Sequence, residues 1–189
     1  KKVELISYDV SKDPPTEAVT AATRLIEQDK VIGIVGISGT ASTLPIISMC
    51  NETQTPCIAS AATNTRVTVD EDTGETYPYL FRCCFIDPYQ GTALADFAYN
   101  DLNITKVATL TRVNNAYAVG VQEYFKNQYT ALGGELVAEL GYQETEVEFR
   151  AQLTAAADAG AKAILVAASE YKDAGLIANQ AKDLGLDFT

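Results

Sequence analysis

Histidine is absent from the 189 residues. That removes Ser–His and Cys–His nucleophile pairs, histidine-based metal sites and histidine acid–base chemistry together. Carboxylate, lysine or tyrosine chemistry stays open, but the commonest hydrolase designs do not. Also missing is any apolar run of about 18 residues, the length that spans a bilayer. The start, KKVELISYD, interrupts with charge what a signal peptide would need as its apolar core. A mature or trimmed chain would begin the same way, so export is left open. Positive charge is scarce: 14 Lys and Arg against 25 Asp and Glu give a net charge of −11, with no basic run. Nucleic acid is therefore a poor partner, because a polyanion needs clustered cations, and the acidity serves solubility. The four cysteines (Cys50, Cys57, Cys83, Cys84) show no CxxC spacing. Cys83 and Cys84 are adjacent on an expected strand and point to opposite faces. Buried free thiols are expected, with a Cys50–Cys57 disulfide as the alternative and the compartment undecided.

What is present is alternation. Strands are expected at residues 3–9, 31–36, 56–59, 77–84, 106–110, 136–140 and 163–168, the last a continuous apolar run of the kind buried on both faces. A first helix opens at Pro14, Pro15 and Thr16 and carries Val19, Ala22, Leu25 and Ile26. Others are expected at 41–51, after Asp87-Pro88 with Leu94, Phe97, Ala98 and Leu102, and at 117–132, where Gly133-Gly134 stops the helix. Two more follow at 146–159, burying Phe149, Leu153 and Ala156, and at 173–184, burying Ala174, Ile177, Ala178 and Ala181. Strands alternating with helices of this length mean parallel sheets with right-handed crossovers. The fold class is α/β, as two doubly wound parallel-sheet lobes, 1–85 and 86–189, joined near 85–87. Both ends read as cut: a βα unit is expected before Lys1 and a further portion after GLDFT. The acidic stretch VDEDTGETY lacks the ligand spacing of a calcium loop and reads as a solvated loop.

The most informative turn is GISGTAST, with Gly33, Gly36 and Gly39 leading into Thr40, Ser42 and Thr43. A dinucleotide fold wants GxGxxG and a later acid, and a phosphate loop wants Gly-Lys-Ser/Thr. Here the spacing is GxxGxxG and lysine is absent from Val31 to Arg66. A helix start nevertheless offers amide donors and a favourable dipole to an anion. Gly39 allows close backbone approach, and the hydroxyls add donors. The same residues serve equally well if Ser42 or Thr40 merely caps the helix. A second turn, Ala61, Ala62, Thr63 and Asn64, ends the next expected strand. In a parallel sheet Thr63 then lies beside Thr40, and hydroxyls with free backbone groups suit a zwitterion: carboxylate on one side, ammonium on the other.

In order along the chain, DVSKDPPTEAVTAATRLIEQDKVIGIVG, SGTAST, IASAATN, YLFRCCFIDPYQG, AYAVG and QAKDLGL resemble landmarks of one family. It is the branched-chain amino-acid-type solute-binding proteins of ABC transporters, which have the type I periplasmic-binding fold. The resemblance implies two lobes about a hinge that close on a ligand. It implies that Gly39 and Thr40 hold a carboxylate, that Ala61 and Thr63 bind an ammonium through a carbonyl and a hydroxyl, and that Tyr117 closes over the ligand. Glu170 falls where members usually carry an aromatic; an acid there favours a ligand with an added positive or hydrogen-bonding group, and Tyr171 takes the aromatic role if the register differs by one. The implied ligand is a small amino acid or related carboxylate and the implied partner a membrane permease. The implied location is extracytoplasmic, as a periplasmic protein or a lipoprotein whose anchor lies outside this sequence. No catalytic residue, cofactor or metal is expected. Two other uses stay open: a sensor or receptor domain of the same fold, and a nucleotide-dependent α/β enzyme, which would need the nucleotide loop not found here.

Overall fold

A computed structural model describes residues 2–10, 15–168 and 170–189. Pro14, expected to help open the first helix, lies outside the described residues. Contacts divide the chain into two compact units, Lys1–Ile86 and Asp87–Thr189.

In the first unit Pro15 sits at the N-cap of helix α1, Thr16–Thr23, its ring fixing φ at a value the helix can use. A π-helical turn, Arg24–Gln28, continues it. Ala18, Ala22 and Ile26 are the residues this segment buries. Strands β1 (Ile34–Gly36), β2 (Cys57–Ala59) and β3 (Leu80–Arg82) form one parallel sheet in that order. The strand expected at 3–9 does not form, and Val3 and Leu5 stay exposed. Apolar alternation becomes a strand only where a neighbour completes the backbone hydrogen bonds, and none of the described residues pairs with this segment. The expected helix at 41–51 is also divided. Helix α2, Thr40–Thr43, passes through a 3₁₀ turn, Leu44–Ile46, into α3, Ile47–Glu52. Pro45 has no N–H to offer the preceding turn, so the α ladder breaks there.

The sheet's register sets its two faces apart. Ile34, Cys57 and Leu80 lie side by side on the buried face, packed with Ala22, Ile26, Ile46, Ile47 and Cys50. The row behind them, Val35, Ile58 and Phe81, is 80%, 39% and 49% exposed, so VIGIVG is buried on one face only. All four cysteines are free: Cys50 and Cys57 are buried, Cys84 is partly covered and Cys83 is exposed. A hydrogen bond with Cys50, then burial, pushes the Cys57 thiol pKa up. The acidic loop folds on Asp70, whose Oδ1 accepts from the amides of Asp72 and Thr73 at 3.0 and 2.9 Å. The Thr73 amide is the chief reason its carboxyl titrates below the usual range. Among the described residues no group of His, Cys, Asp and Glu could hold a metal.

The second unit is three layers deep. Strands β4 (Lys106–Arg112), β5 (Glu135–Tyr142) and β6 (Ala163–Ala167) pair in parallel in the order β5-β4-β6. Central β4 is buried from Val107 to Arg112. On one face Val107 packs with Ala95, Phe125 and Tyr129, from helices α4 (Asp87–Asp96) and α5 (Ala116–Ala131). On the other, Leu110 packs with Phe149, Leu153 and Ile177, from the start of α6 (Arg150–Asp158) and from α7 (Tyr171–Asp183). Gly133, at φ +94°, ends α5 in a conformation that favours glycine.

Two helices present faces that differ from expectation. In α4 and the π turn after it, Leu94, Phe97 and Leu102 are exposed, while Gly91 and Ala95 are buried. In α7, Ala174 and Ala178 are exposed, while Asp173 and Gln180 are buried beside Ile177. Gln180 earns burial by bonding twice: its Oε1 accepts from Phe149 N at 2.6 Å and its Nε2 donates to Val147 O at 2.8 Å.

A Cβ on Gly91 would lie 2.7 Å from Phe125 N and 2.8 Å from Val121 O, so α4 and α5 meet backbone to backbone there. Gly91→Ala is expected to cost about 1–3 kcal/mol through overpacking, read as a lower denaturant midpoint at an unchanged slope.

Candidate ligand-binding site

The predicted residues of the first unit gather where β1 and β2 end. Gly39 follows β1 as the N-cap of α2, extended at φ −123°, ψ 149°. Its backbone needs no glycine, and a Cβ there would meet nothing within 4 Å. The protein leaves that space unused. Thr40 is the first helical residue and is buried. Capping is not its role: the cap position is glycine, and Thr40 Oγ1 instead accepts from Asn64 N at 3.4 Å. Within the turn, Thr43 N donates to Gly39 O at 3.0 Å. The earlier amides of a helix start have no such acceptor. The break at Pro45 limits the dipole to a short turn, so any hold on an anion rests mainly on local donors.

The second loop leaves β2 at Ser60, whose Oγ donates to Gly36 O at 2.5 Å and ties the two strand ends together. Ala61 is exposed and Thr63 buried. Thr63 Oγ1 is fully covered and finds no hydrogen-bond partner among the described residues. A buried hydroxyl left so costs about 1–3 kcal/mol. Asn64 caps the 3₁₀ turn Thr65–Val67, its Oδ1 accepting from Arg66 N at 3.1 Å. Gly39, Thr40, Ala61 and Thr63 therefore stand on two adjoining loops, linked by the Thr40–Asn64 bond.

Tyr117 and Glu170 belong to the second unit. Tyr117 lies at the start of α5, which Asn115 caps by accepting from Ala118 N at 3.0 Å. Its hydroxyl accepts from Gln90 Nε2 at 2.9 Å, which fixes the half-buried ring. Glu170 is the partly exposed N-cap of α7, beyond the end of β6. Tyr171 is 90% exposed. Both follow paired strands, β4 and β6, at one edge of the sheet.

Sequence reasoning missed the polar groups behind these loops. Arg112 ends β4 at 2% exposure with Nη2 2.7 Å from Glu144 Oε2. Nearby in sequence, Tyr142 donates to buried Asp173 Oδ2 at 3.1 Å, and burial, then Asp173, pushes the phenol's pKa well up. Arg82 ends β3 among the carbonyls of the second loop. A charged residue closing a strand reads in sequence as an exposed end. Asn115 did carry a signal, as an Asn directly before a helix.

The family model for periplasmic binding proteins covers residues 1–189, and the chain belongs to that family. An amino acid binding protein of Pseudomonas aeruginosa is 30% identical over 98% of this chain and 48% of its own length. A leucine binding protein, LivK, from Thermotoga maritima superposes with a TM-score of 0.86 at 35% identity, over 94% of this chain and 48% of that one. LivJ from Streptococcus pneumoniae, a branched-chain amino acid transporter substrate binding protein in complex with isoleucine, gives 0.86 at 30% identity, over 100% and 51%. An ABC transporter solute binding protein from Rhodopseudomonas palustris, in complex with 3,4-dihydroxybenzoic acid, gives 0.77 at 28% identity, over 91% and 45%. The fold is thus that of type I periplasmic binding proteins, and these homologues are solute-binding proteins rather than enzymes. The chain spans about half the length of the curated relatives it matches.

Thr40→Val removes the acceptor of the Asn64 amide and is expected to cost about 1 kcal/mol, while Thr40→Ser keeps the wild-type stability; urea unfolding of the two variants checks this.

Proposed function

We propose that this protein reversibly captures a small amino acid or related carboxylate outside the cytoplasm and delivers it to an ABC-transporter permease, with no covalent step. The observation that carries the reading is the covered, unpartnered Thr63 hydroxyl beside the Thr40–Asn64 junction. In this reading the amides and hydroxyl of the Gly39–Thr40 turn take the ligand's carboxylate. The Ala61 carbonyl and Thr63 hydroxyl take an ammonium, Thr63 also helping to hold the carboxylate. Tyr117 and Glu170, both in the second unit, are the further residues this reading assigns to ligand binding. Hydrogen bonds to a charged head contribute about 1.5–3 kcal/mol each. Two or three of them suffice to hold one anion on a chain of net charge −11, because distant charges are screened beyond about 8 Å at physiological salt.

The ligands of the related structures support a carboxylate as the shared element: isoleucine in one, 3,4-dihydroxybenzoic acid in another. They differ in the ammonium, which only the amino acid carries. Glu170 favours an amino acid with a further positive or hydrogen-bonding group.

A thermal-shift screen of the full-length protein against amino acids, hydroxybenzoates and nucleotides tests the reading. A true ligand at a hundred times its dissociation constant adds about 2.7 kcal/mol of stability; a shift with nucleotides alone would overturn the proposal. By calorimetry, Thr40→Ala and Thr63→Ala should each weaken the ligand so found by more than about tenfold. Thr63→Ala should do so without lost stability, since its hydroxyl serves no other partner among the described residues. Gly39→Ala fills space the protein does not use, so it should weaken binding at a stability cost below about 1 kcal/mol.

A further inference from the structure

The loop that carries Thr63 has no ladder of its own. Between the end of β2 and the 3₁₀ turn its carbonyls must find donors elsewhere. Asn64 O and Thr65 O accept backbone amides, from Val67 and from Thr68 and Val69, and one side chain reaches these two carbonyls and Ala62 O together. Arg82, half-buried at the end of β3, donates through Nη1 to Ala62 O at 3.1 Å and to Asn64 O at 2.7 Å. Through Nη2 it donates to Thr65 O at 3.2 Å and to Thr68 Oγ1. These four acceptors lie on both sides of Thr63. Register explains how one side chain reaches them all: Arg82 pairs with Ala59, which lies in turn against Gly36, so its Cα sits in the last row of the sheet, next to where the loop departs.

Asn64 is consequently held from both of its backbone ends. Its amide donates to Thr40 Oγ1, and its carbonyl accepts from Arg82. Thr63 shares a peptide plane with that amide. With the carbonyls before and after it drawn to the guanidinium, the Thr63 backbone is set, and with it the starting point of its side chain. A guanidinium suits this task because its donors form a rigid planar fork. A lysine ammonium is a point charge with three donors and cannot hold the same spread of carbonyls.

We propose that Arg82 is the positioning residue of the ligand site: its guanidinium gathers the Ala62–Thr68 loop and thereby sets where Thr63 meets the ligand's charged head. This rests on the functional reading above, with Arg82 acting through Thr63 and not by touching the ligand.

The test uses full-length protein, with L-isoleucine and 3,4-dihydroxybenzoate as calorimetric probes, and adds backbone hydrogen exchange, which needs no ligand. Arg82→Lys keeps the charge and most of the stem, and stands in if Arg82→Ala fails to fold. Arg82→Lys is expected to weaken the probe that binds by about tenfold or more. In a Thr63→Ala background the same change should cost almost nothing further, because the residue it positions is already gone. A role in general stability would not produce that coupling. Exchange at the Asn64 amide should quicken by about tenfold or more in Arg82→Lys, while the β2 amides keep their protection. Unchanged affinity, losses that simply add in the double variant, or unchanged exchange at Asn64 would each overturn the proposal. Should neither probe bind the wild-type protein, the functional reading fails for these ligands, and the exchange measurement alone decides whether Arg82 holds the loop.

Discussion

Parallel pairing is the constraint on which this molecule depends. Every strand in both sheets runs the same way as its neighbours, so each must be joined to the next by a crossover, and all carboxyl ends fall on one edge. That edge is where the chain leaves its ladders and where its backbone groups must find new partners. In the first unit two hydroxyls and one guanidinium meet the need: Ser60 on Gly36 O, Thr40 on Asn64 N, Arg82 on the loop carbonyls. The polar groups that steady the backbone also leave Thr63 Oγ1 covered and without a hydrogen-bond partner among the described residues.

The second unit meets the same demand with charge buried more deeply. Arg112 is nearly inaccessible yet reaches Glu144 at the surface, and Tyr142 brings Asp173 into a site from which a lone carboxylate would be driven. Tyr142 ends β5, Glu144 lies two residues beyond it and Asp173 is in the first turn of α7, so one contact ties the end of β4 to the chain leaving β5 and the other ties the end of β5 to α7. Burial of charge here is a way of fixing chain geometry, because removing either partner would strand the other.

The fold class was readable because alternation of strand and helix survives in apolar periodicity. Individual faces were less so. The buried side of α4 is made of Asp87, Gly91 and Ala95, and a carboxylate with small residues that permit close helix contact leaves no hydrophobic trace, whereas Leu94 and Phe97 suggested the wrong side. Asp173 and Gln180 are buried through hydrogen bonds that depend on Tyr142 and Phe149, both remote in sequence. The segment at 3–9 has the pattern of a strand, but among the described residues it finds no neighbour that would make it one. Within the candidate site, Gly39, Thr40 and Thr63 announced themselves by residue type at turns. Arg82 did not, because a strand-terminal arginine looks like solvent-facing charge until its carbonyl partners, 17 to 20 residues earlier, are brought to it.

The thiols have a practical corollary. Cys50 and Cys57 are sealed in the core, while Cys83 is exposed with Sγ 3.7 Å from Ala59 O, two residues before Ala61. A maleimide dye would couple to that outer sulfur, and then to the partly covered Cys84, ahead of the sealed pair. The natural sequence thus already offers an attachment point for a thiol-directed label beside the loop that carries Thr63.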